Sequence, residues 1–564
     1  MPEGILHRFD LRVPMRDGVG LSADVYLPAP ALAEPATRYP AILQRTPYDN
    51  TMELWTNIAQ HFAARGYVFV SQDVRGRGDS EGEWEPFMHE AEDGYDTVEW
   101  IAAQPWCDGQ VAMMGGSYGG FVQWQAAREG PPHLRTLVST AAAGRPMQEL
   151  PIHDGKIMPA WAMSWLNMVG GRTVQPNRIP DWQRILRTRP TRDWDVALGR
   201  LNTAWRTWLA HPEYDDYWRR MGMRERFGDI DLPVLHITGW FDGDQWGQLY
   251  YWHEMARHSP ARARQYLLSG PWDHAGTRTP TERVGGLEFG KDAVLDMNAI
   301  HLRWFDYWLK GKGDAPTDFA PGRRSRVFLM GENRWRDDDT FTPPGLVQTP
   351  FYFHSGGRAN TVGGDGRLDR EAPGEETPDA YAYNPEDPTP SSPDPFDDPG
   401  GETRLDERWL LRRDDVVVYT SEPLGEAVEM TGHPFVVLEA RTDVPDTDFG
   451  ATLYDVHPDG RSIALTRGMV RASYREDPFH PSEEPLRPGQ AYTFRIELMA
   501  TSNVFLPGHR IRVAVVSARW PALDRNPNTG AALGDDSVTR IAHQEVLHDR
   551  ARASHLLAPV VPRG

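Results

Sequence analysis

Cysteine and lysine are nearly absent: 564 residues hold one cysteine, Cys107, and four lysines against 56 arginines. A lone thiol cannot form an internal disulfide, so the chain does not read as a disulfide-stapled secreted fold. No run approaches the roughly 18 apolar residues that a membrane-spanning helix needs. The opening Met1-Pro-Glu-Gly-Ile-Leu-His-Arg-Phe-Asp10 lacks a charged n-region and an apolar h-region, so the expectation is a cytoplasmic chain without a secretion signal. Positive charge is also in deficit. The formal net charge of −20 argues against nucleic acid or an anionic membrane as partner. Metal-ligand spacings and dinucleotide fingerprints are missing too. Gly76-Arg-Gly-Asp-Ser-Glu81 lacks a third glycine at the right interval and has no helix behind it, so neither cofactor nor metal is expected. Cys107 falls in Trp106-Cys107-Asp108-Gly109, a loop ahead of a strand, and reads as a loop residue rather than a nucleophile.

What the chain does have is apolar mass: 40% hydrophobic residues and 11% aromatics. Its length exceeds a single core, so two or three domains are expected. Residues 8–13 and 21–27 read as a hairpin around Asp17-Gly18. Strands at 39–44, 67–73, 110–114 and 133–139 then alternate with helices at 53–65, 90–104 and 121–128. That alternation predicts a doubly wound, mostly parallel sheet. From about 145 to 228 the spacing turns helical and tryptophan-rich, with no strand-like run; this predicts a cap above the strand ends, most of its tryptophans serving as cap core. Strands resume at 232–239, 264–268 and 326–330, with helices at 245–258 and 291–311. Beyond about 345 the pattern is all β: 350–354, 416–419, 435–440, 451–456, 462–466, 492–498, 510–516 and 538–542, with 356–408 as a long loop excursion. The predicted organisation is an α/β-hydrolase core in two parts (1–144 and 229–345), a helical cap (145–228) and a C-terminal jelly-roll domain (346–564).

The core is organised around Met113-Met-Gly-Gly-Ser117-Tyr-Gly-Gly120. Strand, glycine-flanked serine and helix make the setting of a nucleophile elbow, where the tight turn tolerates only small neighbours and the helix start offers a free N–H to an oxyanion. The pattern alone carries little, since Gly78-Asp-Ser80-Glu-Gly82 also matches it. Ser80, however, is followed by Glu83-Trp-Glu-Pro86, with no helix of small residues to bury. Partners in such folds follow in the order Ser, acid, His at strand ends. Asp242 follows the strand ending near Trp240, and His274 follows the strand ending near Leu268. Ser117 is thus read as nucleophile, His274 as base and Asp242 as its orienting acid, with Asp244 and Asp273 as rivals for that last role. His236, inside a strand, reads as a satisfied core residue.

Taken together, Arg45-Thr-Pro-Tyr48, Asp73-Val-Arg-Gly-Arg-Gly-Asp-Ser-Glu-Gly82, Gly115-Gly-Ser-Tyr-Gly119, Gly239-Trp-Phe-Asp-Gly243 and Gly270-Pro-Trp-Asp-His274 resemble the CocE/NonD family of serine hydrolases. Leu506-Pro-Gly-His-Arg510 and Asp524-Arg-Asn-Pro-Asn-Thr-Gly530 resemble that family's C-terminal domain, so the likeness spans the chain. It implies an oxyanion hole built from the Tyr48 hydroxyl and the Tyr118 N–H. In esterase members the residue two beyond the triad aspartate is aromatic and lines the acyl pocket; here it is Asp244. Amino-acid ester hydrolases carry adjacent carboxylates there, and this chain has Asp244-Gln245. Asp244, with Glu149 or Asp154 from the start of the cap, is therefore expected to favour acyl groups bearing a positive charge. Trp161, Trp165, Trp240 and Trp272 are the expected aromatic contacts to substrate.

The reading is a serine hydrolase that cleaves small esters or amides through an acyl-enzyme. An X-Pro dipeptidyl-peptidase-type aminopeptidase and a β-lactam or glutaryl acylase are the alternatives within that chemistry. A non-catalytic carbohydrate-binding jelly-roll protein is the alternative from another class. The expected partner is a small ester, amide or short peptide; homo-oligomerisation stays open.

Overall fold

A computed structural model describes residues 4–28, 37–393 and 404–563. Its first sheet holds ten strands: β1 (Ile5–Pro14), β2 (Gly20–Pro28), β3 (Tyr39–Thr46), β4 (Val68–Asp73), β5 (Cys107–Gly116), β6 (Leu134–Thr140), β7 (Val234–Phe241), β8 (Gln265–Asp273), β9 (Ser325–Leu329) and β10 (Arg334–Asp338). They lie in the order β1-β2-β4-β3-β5-β6-β7-β8-β9-β10. From β4 to β9 every neighbouring pair is parallel, while the hairpins β1–β2 and β9–β10 and the pair β2–β4 are antiparallel. The inner strands β4 and β6 are almost wholly buried, as strands covered on both faces must be, with polar residues toward their C-terminal ends.

Side chains alternate across this sheet. Along β5, Ala112 and Met114 pack with α1 (Glu53–Ala63), and Val111 and Met113 with α2 (Glu90–Ala102) and α3 (Tyr118–Arg128). The cap follows β6. It contains α4 (Pro159–Val169), α5 (Trp182–Arg187), α6 (Trp194–Leu198), α7 (Thr203–Ala210) and α8 (Asp216–Arg219). Trp165, Trp182, Trp194, Trp205, Trp208 and Trp218 are buried and extend the α2–α3 apolar layer upward. Contrary to the sequence reading, the cap also holds a small hairpin, Ile152–His153 against Lys156–Ile157. Asp154 and Gly155 both take positive φ there, the tight-turn chemistry of an Asp-Gly pair.

After β7 come α9 (Gln245–His258), β8 and α10 (Met297–Lys310). The last helix was expected from residue 291. It starts at Met297 instead, because the Asp296 side chain caps it by accepting the Ala299 N–H at 3.0 Å. One apolar face of α10 (Met297, Trp304, Phe305, Leu309) closes the α1 side of the sheet.

The remainder is all β, from Val347–His354 to His555–Val561, and these first and last strands pair antiparallel. Two expectations fail here. The excursion 356–408 contains the strands Arg367–Asp369 and Asp379–Tyr383; its residues 394–403 lie outside the described residues. The strand placed at 538–542 runs instead over Ala542–Asp549, and Val538 and Ile541 are exposed. The β-domain docks on the core through backbone bonds of Met330 to Ser502 and Val504, through Gln245 Nε2 to the Ala500 carbonyl (3.0 Å), and through Arg145–Glu497 (3.2 Å).

Candidate active site

Strand β5 runs straight into Ser117, which adopts φ 61° and ψ −126° before α3 begins. A non-glycine residue held at positive φ stores strain, which persists only where its surroundings enforce it. Here the Ser117 N–H donates to Thr140 O (3.0 Å), and its carbonyl accepts from Gly120 and Phe121. Gly115, at φ +148°, permits the turn: a Cβ there would lie 2.8 Å from the Gly119 carbonyl oxygen. Between Val111 and Gly120 every residue is buried except Ser117.

His274 lies just past β8 and Asp242 just past β7, one neighbouring strand apart. Asp242 is fully buried, and its Oδ1 accepts from His274 Nδ1 at 2.7 Å and from the Asp244 N–H at 3.1 Å. Burial pushes the His274 imidazole down, but the charge and hydrogen bond of Asp242, with Asp244 behind it, push it up by more, so its pKa lies above the usual value. The rival Asp273 spends Oδ1 on the Gly276 N–H (2.8 Å), and Asp244 stands 3.9 Å from Nδ1. His274 and Ser117 line one cavity of about 260 Å³.

Tyr48 lines the same cavity. Its hydroxyl shares that cavity with Ser117 and accepts from Trp165 Nε1 at 3.1 Å. Indole can only donate, so Trp165 orients the phenol without taking its proton. Burial raises the Tyr48 pKa, which keeps the group protonated. The Tyr118 N–H opens α3, among the first four that a helix leaves without an internal acceptor. The Tyr118 side chain points into structure: its hydroxyl donates to Glu90 Oε1 (2.7 Å), and Glu90 pairs with the buried Arg45 at 2.8 Å.

The cavity wall is aromatic. Trp165 stacks between Phe87 (5.5 Å, 12°) and Trp161 (5.2 Å, 13°), and Tyr118, Phe121, Leu150 and Met158 complete it. Asp244 is the carboxylate that faces in. It occupies the N-cap position of α9, yet its side chain makes no capping bond. Burial, with the charges of Asp242 and Glu149, raises its pKa well above the carboxylate range against the opposing pull of His274 and Arg278.

Four expected contacts do not line this cavity. Trp240 is buried elsewhere, its Nε1 on the Phe328 carbonyl, and Trp272 is buried with its Nε1 on the Ala293 carbonyl. Their strand-end positions were legible, but a strand turns alternate side chains to opposite faces, and these two face packing. Glu149 is spent on three backbone N–H groups, of Gly144, Arg145 and Gly247 (2.7, 3.1 and 2.9 Å). Asp154 lies in the cap hairpin and does not line the cavity.

Other motif residues hold the site together. Arg77 is buried and donates to Pro47 O and Val169 O (both 2.6 Å), tying the loop that carries Tyr48 to α4. Ser80, in the second Gly-x-Ser-x-Gly match, is buried and donates to the Asp73 carbonyl (2.7 Å). His236 sits between Gln248 and Gln265 at 3.0 Å each, a satisfied core histidine. Burial pushes the Cys107 thiol up to about 11, leaving it inert. Sequence reasoning missed Phe87, whose isolated place in Glu85-Pro86-Phe87 gave no signal. It also missed Arg278, whose Nη2 donates to the His274 carbonyl at 2.8 Å.

Residues 17–276 match the X-Pro dipeptidyl-peptidase (S15) family, and residues 318–557 match the X-Pro dipeptidyl-peptidase C-terminal non-catalytic domain. Over 590 aligned residues the chain is 34% identical to cocaine esterase of Rhodococcus sp. (strain MB1 Bresler), covering 98% of each. Among solved structures, an α-amino acid ester hydrolase superposes with a TM-score of 0.88 at 26% identity, covering 99% of this chain and 97% of that one. An aminopeptidase from a marine-sediment Thaumarchaeota archaeon gives a TM-score of 0.86 at 25% identity with the same coverage.

Proposed function

The chain belongs to the CocE/NonD family of serine hydrolases, and from that premise we propose that it cleaves esters of small carboxylic acids, through an acyl-enzyme on Ser117, with a preference for amino-bearing acyl groups. In this reading Ser117 Oγ attacks the acyl carbon as His274 Nε2 takes its proton. The negative charge that develops on the carbonyl oxygen meets the Tyr48 hydroxyl and the Tyr118 N–H. As the C–O bond to the leaving group breaks, His274 returns the proton to the departing oxygen. Water then attacks the acyl-enzyme with the same proton shuttle, releasing the acid and restoring Ser117. Asp242 holds the imidazole in the tautomer that leaves Nε2 free to accept.

The observation that carries this reading is the 2.7 Å Asp242–His274 hydrogen bond at the edge of the cavity that Ser117 and Tyr48 share. Support for the amino preference comes from Asp244, an inward carboxylate that among the described residues has no cation partner at ion-pair distance other than the triad imidazole. A substrate ammonium would neutralise it and bring its pKa back down. Comparing kcat/KM for the ethyl esters of phenylalanine and 3-phenylpropionic acid tests the preference. The amino ester is expected to lead by roughly tenfold or more, the lead disappearing in Asp244→Asn; equal values in the wild type refute it. The same ammonium site suits an aminopeptidase of the X-Pro type, favoured by the family match of residues 17–276. Aminoacyl-4-nitroanilides set against 4-nitrophenyl esters separate ester from amide preference.

A further inference from the structure

We propose that Arg278 determines specificity on the leaving-group side, favouring substrates whose departing alcohol or amine carries a carboxylate. The inference rests on the roles given above to Ser117 and His274. Arg278 lies in the turn that follows the catalytic imidazole: its N–H bonds the Ala275 carbonyl (3.0 Å), and its Nη2 bonds the His274 carbonyl (2.8 Å). The guanidinium rests against Gly116, the residue immediately before Ser117. A Cβ at 116 would fall 2.4 Å from Nη1 and 2.9 Å from Cδ of Arg278. The bare backbone at that elbow position is thus what lets a cation reach the nucleophile's neighbour.

Arginines deeper in the site are sealed from solvent and held by the protein: Arg45 by Glu90 and Gln72, Arg77 by two backbone carbonyls. Arg278 differs. Among the described residues no carboxylate lies within ion-pair distance of it, and one backbone carbonyl is its acceptor. It is half-buried, and its remaining N–H donors are open rather than sealed. Its charge also bears on Tyr48, Asp244 and His274, which places it within the field of the reacting atoms.

The direction follows from the chemistry. His274 must hand its proton to the leaving atom, so the leaving group departs past His274 and hence past Arg278. The acyl group lies on the other side, against the aromatic wall and Asp244. A guanidinium that spends one Nη2 hydrogen on the His274 carbonyl keeps one edge for a carboxylate, which it can hold in a bidentate fork. The two charges together select a substrate that is cationic on its acyl side and anionic on its leaving side, such as an aminoacyl ester or amide of a hydroxy or amino acid.

The test uses two chromogenic acetates with one acyl group and one nitrophenol framework: 3-acetyloxy-4-nitrobenzoate, which is anionic, and its neutral carboxamide. The ratio of kcat/KM, anionic over neutral, is expected to fall roughly tenfold in Arg278→Gln, mostly through KM, the size of one half-exposed charge-assisted contact. Arg278→Lys should recover part of the ratio, and added salt should shrink it in the wild type. A ratio unmoved by Arg278→Gln, or equal losses on both substrates, overturns the proposal; equal losses would mean that Arg278 only braces His274. If the wild type hydrolyses neither acetate, the hydrolase reading itself fails and takes this proposal with it. Failure of the proposal alone leaves the neutral acetate hydrolysed.

Discussion

Replacing Tyr48 by phenylalanine removes one oxygen atom with two separable consequences. The hydroxyl accepts from Trp165 Nε1 (3.1 Å) and keeps its own proton for the cavity, and its raised pKa keeps that proton in place across the working pH range. Loss of one preorganised oxyanion donor costs about 10²–10³ in kcat, or 2.7–4 kcal/mol. KM should hardly move, because the lost bond forms only as charge develops on the substrate oxygen. The second consequence is structural: Trp165 is buried among Phe87, Tyr118 and Trp161, so its indole N–H loses its acceptor at about 1–3 kcal/mol of stability. Steady-state hydrolysis of 4-nitrophenyl acetate reads the first effect and urea unfolding the second. Trp165→Phe, which keeps the phenol and removes its brace, should cost less activity than Tyr48→Phe. A Tyr48→Phe enzyme with kcat within about threefold of wild type would refute the reasoning, whatever its stability.

Three further outcomes are expected. Because His274 must be neutral to accept a proton and its pKa is raised, kcat/KM should climb with pH through a midpoint above the ordinary histidine value of about 6.5. In Asp242→Asn the charge that raises it is gone, so the acid limb should move to lower pH while kcat falls about 10⁴-fold; an unmoved limb speaks against the pairing. Gly247→Ala would set a Cβ 2.2 Å from the Gly144 nitrogen and 2.4 Å from the Ala142 carbonyl oxygen, so urea unfolding should show a loss of about 2–3 kcal/mol or more. Wild-type stability in that variant would mean that α9 does not press on the loop after β6 as described.

The sheet, its helices and the placement of Ser117, Asp242 and His274 at neighbouring strand ends were legible because the signals are local: buried apolar runs, strand ends and glycines at a turn. What escaped depended on direction rather than position. Trp240 and Trp272 stand at the right strand ends, but a side chain's face is fixed by pleat and twist, and both serve packing. Glu149 looked available as a carboxylate; three backbone N–H groups from two separate segments consume it, a closure that only tertiary structure reveals. The cap hairpin was missed although His153-Asp154-Gly155-Lys156 carries its turn signal, because strands of two residues have no periodicity to read. Ala542–Asp549 was displaced because its partners, Asp379–Tyr383 and Phe435–Thr442, are remote in sequence, and pairing rather than propensity sets where it begins. Arg278 could not be singled out among 56 arginines until Gly116 was seen to make room for it.

Ser117, partly exposed on a strained elbow, is the proposed nucleophile on which the mechanism depends. Incubation with a fluorophosphonate followed by peptide mass spectrometry tests it most directly. Stoichiometric phosphonylation of the peptide bearing Ser117 is expected, abolished together with ester hydrolysis in Ser117→Ala. Label on another residue, or full hydrolysis by Ser117→Ala, would contradict it.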